Sequence, residues 1–245
     1  MFPWTRRTTG IPKSLVFLSG SMKTSGAIEI FGLCGAGKTT ILNDLASALQ
    51  SGTSSLETNV SFPTAPGPVH SLCETLRITA GALRNSPREV SKFIANKNNW
   101  WLPLKLGYRS SAMKKKGDLQ RVLLVDGGIL QPFISFSVEY NILLKKVPTD
   151  PFLSALALPS HAVYVRTSPE VAQKRYLARE EENQRPVNKE NLGARFAAAF
   201  EICEYLYTKC RSLGIRAGIV PVEKKVETDS LAQLKKELFG QENPQ

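Results

Sequence analysis

The chain has 245 residues, 42% of them hydrophobic and 22% charged, the balance of an ordinary globular protein with one large domain or a domain carrying insertions. Its net charge is +11, and 16 Lys and Arg stand against 6 Asp and Glu up to Val125, with near balance beyond. The basic half therefore suits a polyanionic ligand such as a nucleotide. No apolar run approaches the roughly 18 residues of a membrane span, two His and four Cys without C-x-x-C spacing argue against zinc, and no specific nucleic-acid module is legible.

Residues 1–26 contain Arg6, Arg7, Lys13 and Lys23 among many Ser and Thr, and no acidic residue precedes Glu29. Two readings fit: an organelle-targeting segment, or a flexible extension ahead of a start at Met22. The second is the simpler and goes with a cytoplasmic protein. From Ala27 to Phe31 a short apolar run has strand character. Gly32 to Thr39, GLCGAGKT, then fits G-x-x-x-x-G-K-[ST], the phosphate-binding P-loop or Walker A motif. Ile41, Leu42, Leu45, Ala46 and Leu49 recur at helical spacing, so a helix follows the loop at once.

The chemistry of that stretch follows from its residue types. Gly32, Gly35 and Gly37 permit backbone angles denied to other residues. The loop amides of Gly32, Cys34, Gly35, Ala36, Gly37, Lys38, Thr39 and Thr40 can then turn toward a phosphate at a helix N-terminus. Lys38 is placed to reach the outer phosphates of ATP, and the Thr39 hydroxyl to ligate Mg²⁺.

Beyond the loop helix, Ser51–Ser55 reads as a polar linker and Asn59–Phe62 as a second strand. Leu72–Ala82 is weakly helical. Ser86-Pro87-Arg88-Glu89 has the pattern of a capping box with proline in the first turn. A helix from Pro103 to Lys116 follows Trp100 and Trp101, for which packing is the default reading. Arg121–Gly128, RVLLVDGG, is a second landmark. Its apolar core reads as a strand of a parallel sheet buried on both faces, and Asp126 stands at the carboxyl end, where ligands of such sheets sit. A carboxylate there is expected to support Mg²⁺ or to take a proton.

Phe133–Lys146 is expected to be helical, Ala162–Val165 to be a buried strand, and Thr167-Ser168-Pro169-Glu170 to open a helix carrying Arg175 and Arg179 at i and i+4. Arg185-Pro186 closes that element. A long amphipathic helix spans Asn191–Leu213 with Leu192, Phe196, Ala199, Cys203, Leu206 and Cys210 as its buried stripe. Pro221 marks Ile219–Val222 as an edge strand, and Leu231, Leu234 and Leu238 define a last helix. Cys34, Cys73, Cys203 and Cys210 read as reduced thiols. The alternation predicts an α/β fold: a five-stranded parallel sheet with helices on both faces and P-loop NTPase topology.

FGLCGAGKTT, VLLVDGG and SPEVAQKRYLARE together resemble the thymidylate kinase-like branch of the nucleoside and nucleotide monophosphate kinases. The resemblance covers residues 27–239 in element order and is specific in those three short motifs. It implies one kinase domain over 27–240, an acceptor-side helical insertion over about 60–116, and a mobile lid over about 175–190. It implies ATP as donor, Mg²⁺ as cofactor, a nucleoside monophosphate such as dTMP as acceptor, and a homodimer as one assembly to expect. Lys38, Asp126, Arg175, Arg179 and Arg185 take the catalytic roles, and Thr39 with Asp126 the metal. Two departures stand out. The arginine that thymidylate kinases carry after the strand aspartate is Gly127 here, and the acidic residue common in their P-loop is Cys34. The acceptor therefore stays open, and two alternatives stand beside the first: a kinase of a sugar or other metabolite, and an ATP-binding regulatory protein with slow hydrolysis.

Overall fold

In the computed structural model the described residues are 27–50, 57–59, 67–117, 123–140 and 146–222. The N-terminal extension and the helix expected around Leu231–Leu238 lie outside them. All strands run parallel in the order β2-β3-β1-β4-β5. Four are of full length: β1 (Ala27–Gly32), β3 (Leu123–Asp126), β4 (His161–Arg166) and β5 (Arg216–Pro221). The fifth, β2, is only the three residues Glu57–Asn59. It lies earlier in the chain than the strand expected over 59–62, most of which falls outside the described residues.

β1 sits centrally because both its edges are paired, Ala27 with Leu123 on one side and Ile28 with His161 on the other. Its apolar run matches that position: Ile28, Ile30 and Phe31 are buried. β5 is an edge strand and tolerates Pro221, which has no N–H to give to a further neighbour.

Among the described residues eight α-helices join the strands: α1 (Lys38–Gln50), α2 (Pro68–Asn85), α3 (Pro87–Ile94), α4 (Trp101–Gly117), α5 (Gln131–Tyr140), α6 (Thr149–Ala155), α7 (Pro169–Glu182) and α8 (Leu192–Ser212). Right-handed crossovers put α1 on one face of the sheet and α4, α5 and α8 on the other. Alternation along β1 and β4 agrees. Phe31 stacks on Tyr164 at 5.3 Å, and Tyr164 donates to Glu204 of α8 at 3.1 Å.

The helix starts differ in detail. Ser168 caps α7 by accepting from the Val171 amide at 3.4 Å. Ser86 does not cap α3 through the backbone. Its hydroxyl donates to Glu89 at 3.0 Å, so the two members of the expected capping box pair with each other instead. The α8 stripe is buried at all six expected positions. α5 begins two residues earlier than expected and is described as far as Tyr140; the rest of the helix expected to Lys146 falls largely on residues 141–145, outside the described residues.

The region between β2 and β3 packs through unusually close backbones. A Cβ on Gly107 of α4 would lie 2.0 Å from the Thr75 Oγ1 and 2.7 Å from the Thr75 amide of α2. Beside that crossing, Ser110 donates to Glu74 at 2.7 Å, and Arg77 pairs with the same carboxylate at 2.6 Å. Phe93 of α3 then reaches Phe136 and Phe152, which joins this region to α5 and α6.

Candidate functional site

The loop from Gly32 to Thr39 turns from the carboxyl end of β1 into α1. Its glycines are required by geometry at two places. At Gly35 φ is +83°, and a Cβ would stand 2.4 Å from the Ala172 carbonyl and 2.9 Å from the Tyr176 amide of α7. At Gly32 a Cβ would meet the Val165 carbonyl at 2.6 Å. The loop is thus pressed against β4 and α7, and only bare backbone fits. Ala36 is buried, and its carbonyl accepts from Thr167 at 3.3 Å while the same hydroxyl binds the Val222 carbonyl at 3.0 Å. Thr167 therefore ties the loop to the carboxyl end of the sheet.

Lys38 is half-buried, and its ammonium donates to the carbonyls of Leu33 (2.9 Å) and Gly32 (3.2 Å). The cation bridges the mouth of its own loop. Thr39 is exposed, and its hydroxyl donates to Asp126 Oδ2 at 2.9 Å. Thr40 is exposed in the first turn of α1. Two segments 87 residues apart in the chain therefore bring a hydroxyl and a carboxylate together at the end of the loop. These are hard oxygen donors of the class Mg²⁺ takes, so this pair fits the expected metal. Cys34 is half-buried against the core, with its thiol free.

Asp126 ends β3 in register with Ile30, and the turn that follows it is held by Glu29, a residue that no motif in the sequence singles out. Glu29 is completely buried in β1. Its carboxylate accepts from the amides of Leu130 (2.7 Å), Ile129 (2.8 Å) and Gln131 (3.3 Å). It thereby fixes the turn from Asp126 into α5. Gly128 has to be glycine here, because a Cβ would sit 2.7 Å from the Glu29 carboxylate. Burial dominates the electrostatics and pushes the Glu29 pKa up to about 7, against the three amides and the Arg109 charge, which pull it down. A signal is present in the sequence all the same: one charge in an otherwise apolar strand must be partnered.

Between β2 and β3, Arg109 of α4 is half-buried and its charge is felt by Glu29. Its electrostatic neighbours are Glu29, Tyr108 and Asp126. Burial lowers its pKa, and the Glu29 and Asp126 carboxylates oppose the shift. In the same stretch Arg84, Arg88 and Lys92 are exposed, and Arg77 is held by Glu74. Trp101 packs on Phe136 at 5.9 Å and Tyr140 at 6.1 Å, a core contact.

On α7, Ala172 and Tyr176 touch the loop, and Arg175 and Arg179 share their helical face. Arg179 donates twice to Glu180, at 2.7 and 3.0 Å, and stacks over Tyr176 at 5.6 Å. Arg185 approaches the other Glu180 oxygen at 3.7 Å. The structure thus gathers Arg179 and Arg185 on one buried carboxylate. Arg175 is half-buried in mid-helix. A further arginine, Arg195 of α8, is 8% exposed and donates to the Asn188 carbonyl, and its Nε has no partner among the described residues. Nothing about a lone arginine inside an amphipathic stripe marks it in the sequence.

No protein-family model and no curated protein matches the chain. Among solved structures it is similar to deoxyadenosine kinase from M. mycoides with bound dATP, at 16% identity and a TM-score of 0.45, over 83% of this chain and 91% of that one. The same kinase with bound dCTP aligns at 15% identity and a TM-score of 0.45, over 86% and 98%. A third form, with the products dCMP and a flexible dCDP, aligns at 16% and 0.44, over 85% and 95%. A likeness this loose carries no argument about substrate or chemistry, which rest on the residues of this chain.

Proposed function

We propose that the protein is a P-loop kinase that transfers the γ-phosphoryl group of ATP to a nucleoside monophosphate. The observation that carries this reading is the 2.9 Å hydrogen bond between Thr39 and Asp126 beside the Lys38 loop. It joins the two parts that phosphoryl transfer needs at one point of the sheet edge.

In this reading the loop amides and the N-terminus of α1 hold the donor phosphates. The Lys38 ammonium exchanges the Gly32 and Leu33 carbonyls for phosphate oxygens. Thr39 and Asp126 would hold Mg²⁺, which would supply positive charge against the donor phosphates. An oxygen of the acceptor phosphate forms the new bond to the γ-phosphorus, and the bond to the bridging oxygen breaks, so ADP leaves with that electron pair. An acceptor phosphate ionises near neutrality and has no proton to surrender, so Asp126 is free to serve the metal. Arg175 lies on the α7 face that meets the loop and is placed to neutralise charge on the moving group. Arg179 and Arg185 join it on release from Glu180.

That engagement with Glu180 favours one second reading, an ATP-binding regulatory protein whose lid arginines stay away from the phosphates. ADP release with Mg²⁺-ATP against a panel of nucleoside monophosphates, nucleosides and sugars separates them. Strong stimulation by a monophosphate is expected. Slow release indifferent to every acceptor supports the regulatory reading, and stimulation by a sugar alone would replace the acceptor class.

A further inference from the structure

A buried cation stands where the loop after α7 returns to the body of the protein. Arg195 lies in the first turn of α8 and is 8% exposed. Among the described residues no carboxylate pairs with it, and its Nε has no hydrogen-bond partner. The bond its guanidinium does make runs to the main chain, at the Asn188 carbonyl. A buried charge without a counter-charge costs stability, and an apolar side chain of similar length would fill the space without that cost. Folding alone therefore gives no reason for an arginine here. The reason has to lie in what the guanidinium holds, which is the loop. From Asn183 to Asn191 every residue except Val187 is exposed. Val187 packs against the core, and at the next residue the Asn188 carbonyl is taken by Arg195. The Asn188 side chain is engaged separately, accepting from the Glu190 amide at 2.9 Å. At the other end of the loop the Arg185 amide donates to the Glu180 carbonyl at 2.9 Å. The anchor is also close to the phosphate loop by contact. Phe196, the next residue, packs on Tyr176 at 5.6 Å, and the Tyr176 amide is one of the groups that leave no room for a Cβ at Gly35.

We propose that Arg195 is a positioning residue: it anchors the 183–191 loop to α8 by its main chain, so that this loop acts as a lid that closes in register and keeps water from the transferring phosphoryl group; this rests on the kinase reading above. Arg195 touches no substrate in this role. It acts through Asn188 and the loop. A guanidinium suits the task because it stays protonated when desolvated and carries five N–H groups. One of them holds the Asn188 carbonyl, and the unpartnered Nε leaves a donor for a further main-chain oxygen as the loop moves. Lysine offers a single, shorter point of attachment and can replace it only in part. Methionine keeps the apolar stem and offers no donor.

The test compares the wild type, Arg195→Met and Arg195→Lys by two readouts. The first is limited trypsin digestion of the native proteins, with cleavage after Lys189 followed by mass. Arg195→Met is expected to speed that cleavage at least about fivefold, while its stability to urea equals or exceeds that of the wild type. Arg195→Lys is expected to fall between the two. The second readout is turnover with Mg²⁺, ATP labelled at the γ-position and the nucleoside monophosphate that most stimulates ADP release. In Arg195→Met kcat is expected to fall at least about tenfold while the KM for ATP changes by less than about threefold. A larger share of the label is expected to appear as inorganic phosphate. Unchanged cleavage after Lys189 would overturn the anchor. Lower stability with the same division of label between diphosphate and inorganic phosphate would make Arg195 a packing residue and overturn its part in transfer. A wild type that transfers no label refutes the kinase reading alone, and faster cleavage of Arg195→Met then still upholds the anchor.

Discussion

Replacing Glu29 by Gln tests whether a buried charge organises the site. The carboxyl group has an ordinary pKa of 4.5 and sits at about 7 in the fold. Because the folded value is raised, the folded protein binds this proton more tightly than the unfolded chain does. The stability it contributes is complete below about pH 4.5 and is lost as pH rises through about 7. Between pH 5 and pH 8 the loss is about 2.5 kcal/mol, since each pH unit between the two pKa values is worth roughly 1.4 kcal/mol. Glutamine does not titrate, so the variant lacks this component. It carries a separate, pH-independent penalty: its carbonyl can serve Leu130 and Gln131, but its NH₂ faces the Ile129 amide, which costs about 1–3 kcal/mol. Equilibrium urea unfolding of both proteins across this range gives the difference. The wild type is expected to lose about 2.5 kcal/mol more than the variant on going to high pH. Parallel curves, or a steeper fall in the variant, would refute the argument that desolvation outweighs the three amides.

Three further outcomes follow from single contacts. Gly107→Ala is expected to lower stability by about 1–3 kcal/mol, because the added methyl meets the Thr75 backbone and α2 must move from α4; an unchanged melting temperature would contradict the close crossing. Tyr164→Phe removes a hydroxyl that donates to Glu204 at 3.1 Å, while Arg166 still donates to that carboxylate at 2.8 Å. The expected loss is therefore only about 1 kcal/mol, checked by denaturant titration, and a loss several times larger would show that the hydroxyl does more than this. Thr39→Ala is expected to raise the Mg²⁺ concentration needed for half-maximal turnover at least about tenfold. Metal-free ATP binding should stay unchanged, and equal weakening of both would remove Thr39 from the metal.

Much of the fold was legible because its signals are local. The P-loop glycines, the apolar run ending in Asp126 and the stripe from Leu192 to Cys210 each announce an element within a short window of sequence. What was illegible depends on residues far apart in the chain. Glu29 matters through amides 100 to 102 positions away, and Thr167 through Ala36, 131 positions away. No spacing rule carries such pairs. Arg109 is one of many basic residues between β2 and β3 until the packing of α4 against α2 and α5 brings its charge within reach of Glu29. The capping residues show the same limit on a smaller scale. Ser168 and Ser86 look alike in sequence, yet one caps its helix and the other binds Glu89.

The central claim is phosphoryl transfer, and the direct measurement follows the phosphoryl group itself. The protein is incubated with Mg²⁺, ATP labelled at the γ-position and the nucleoside monophosphate that most stimulates ADP release, with Lys38→Ala alongside. The account predicts label in the diphosphate product in step with ADP formation, and none with the variant. Label that appears only as inorganic phosphate, or transfer undiminished in Lys38→Ala, would contradict it.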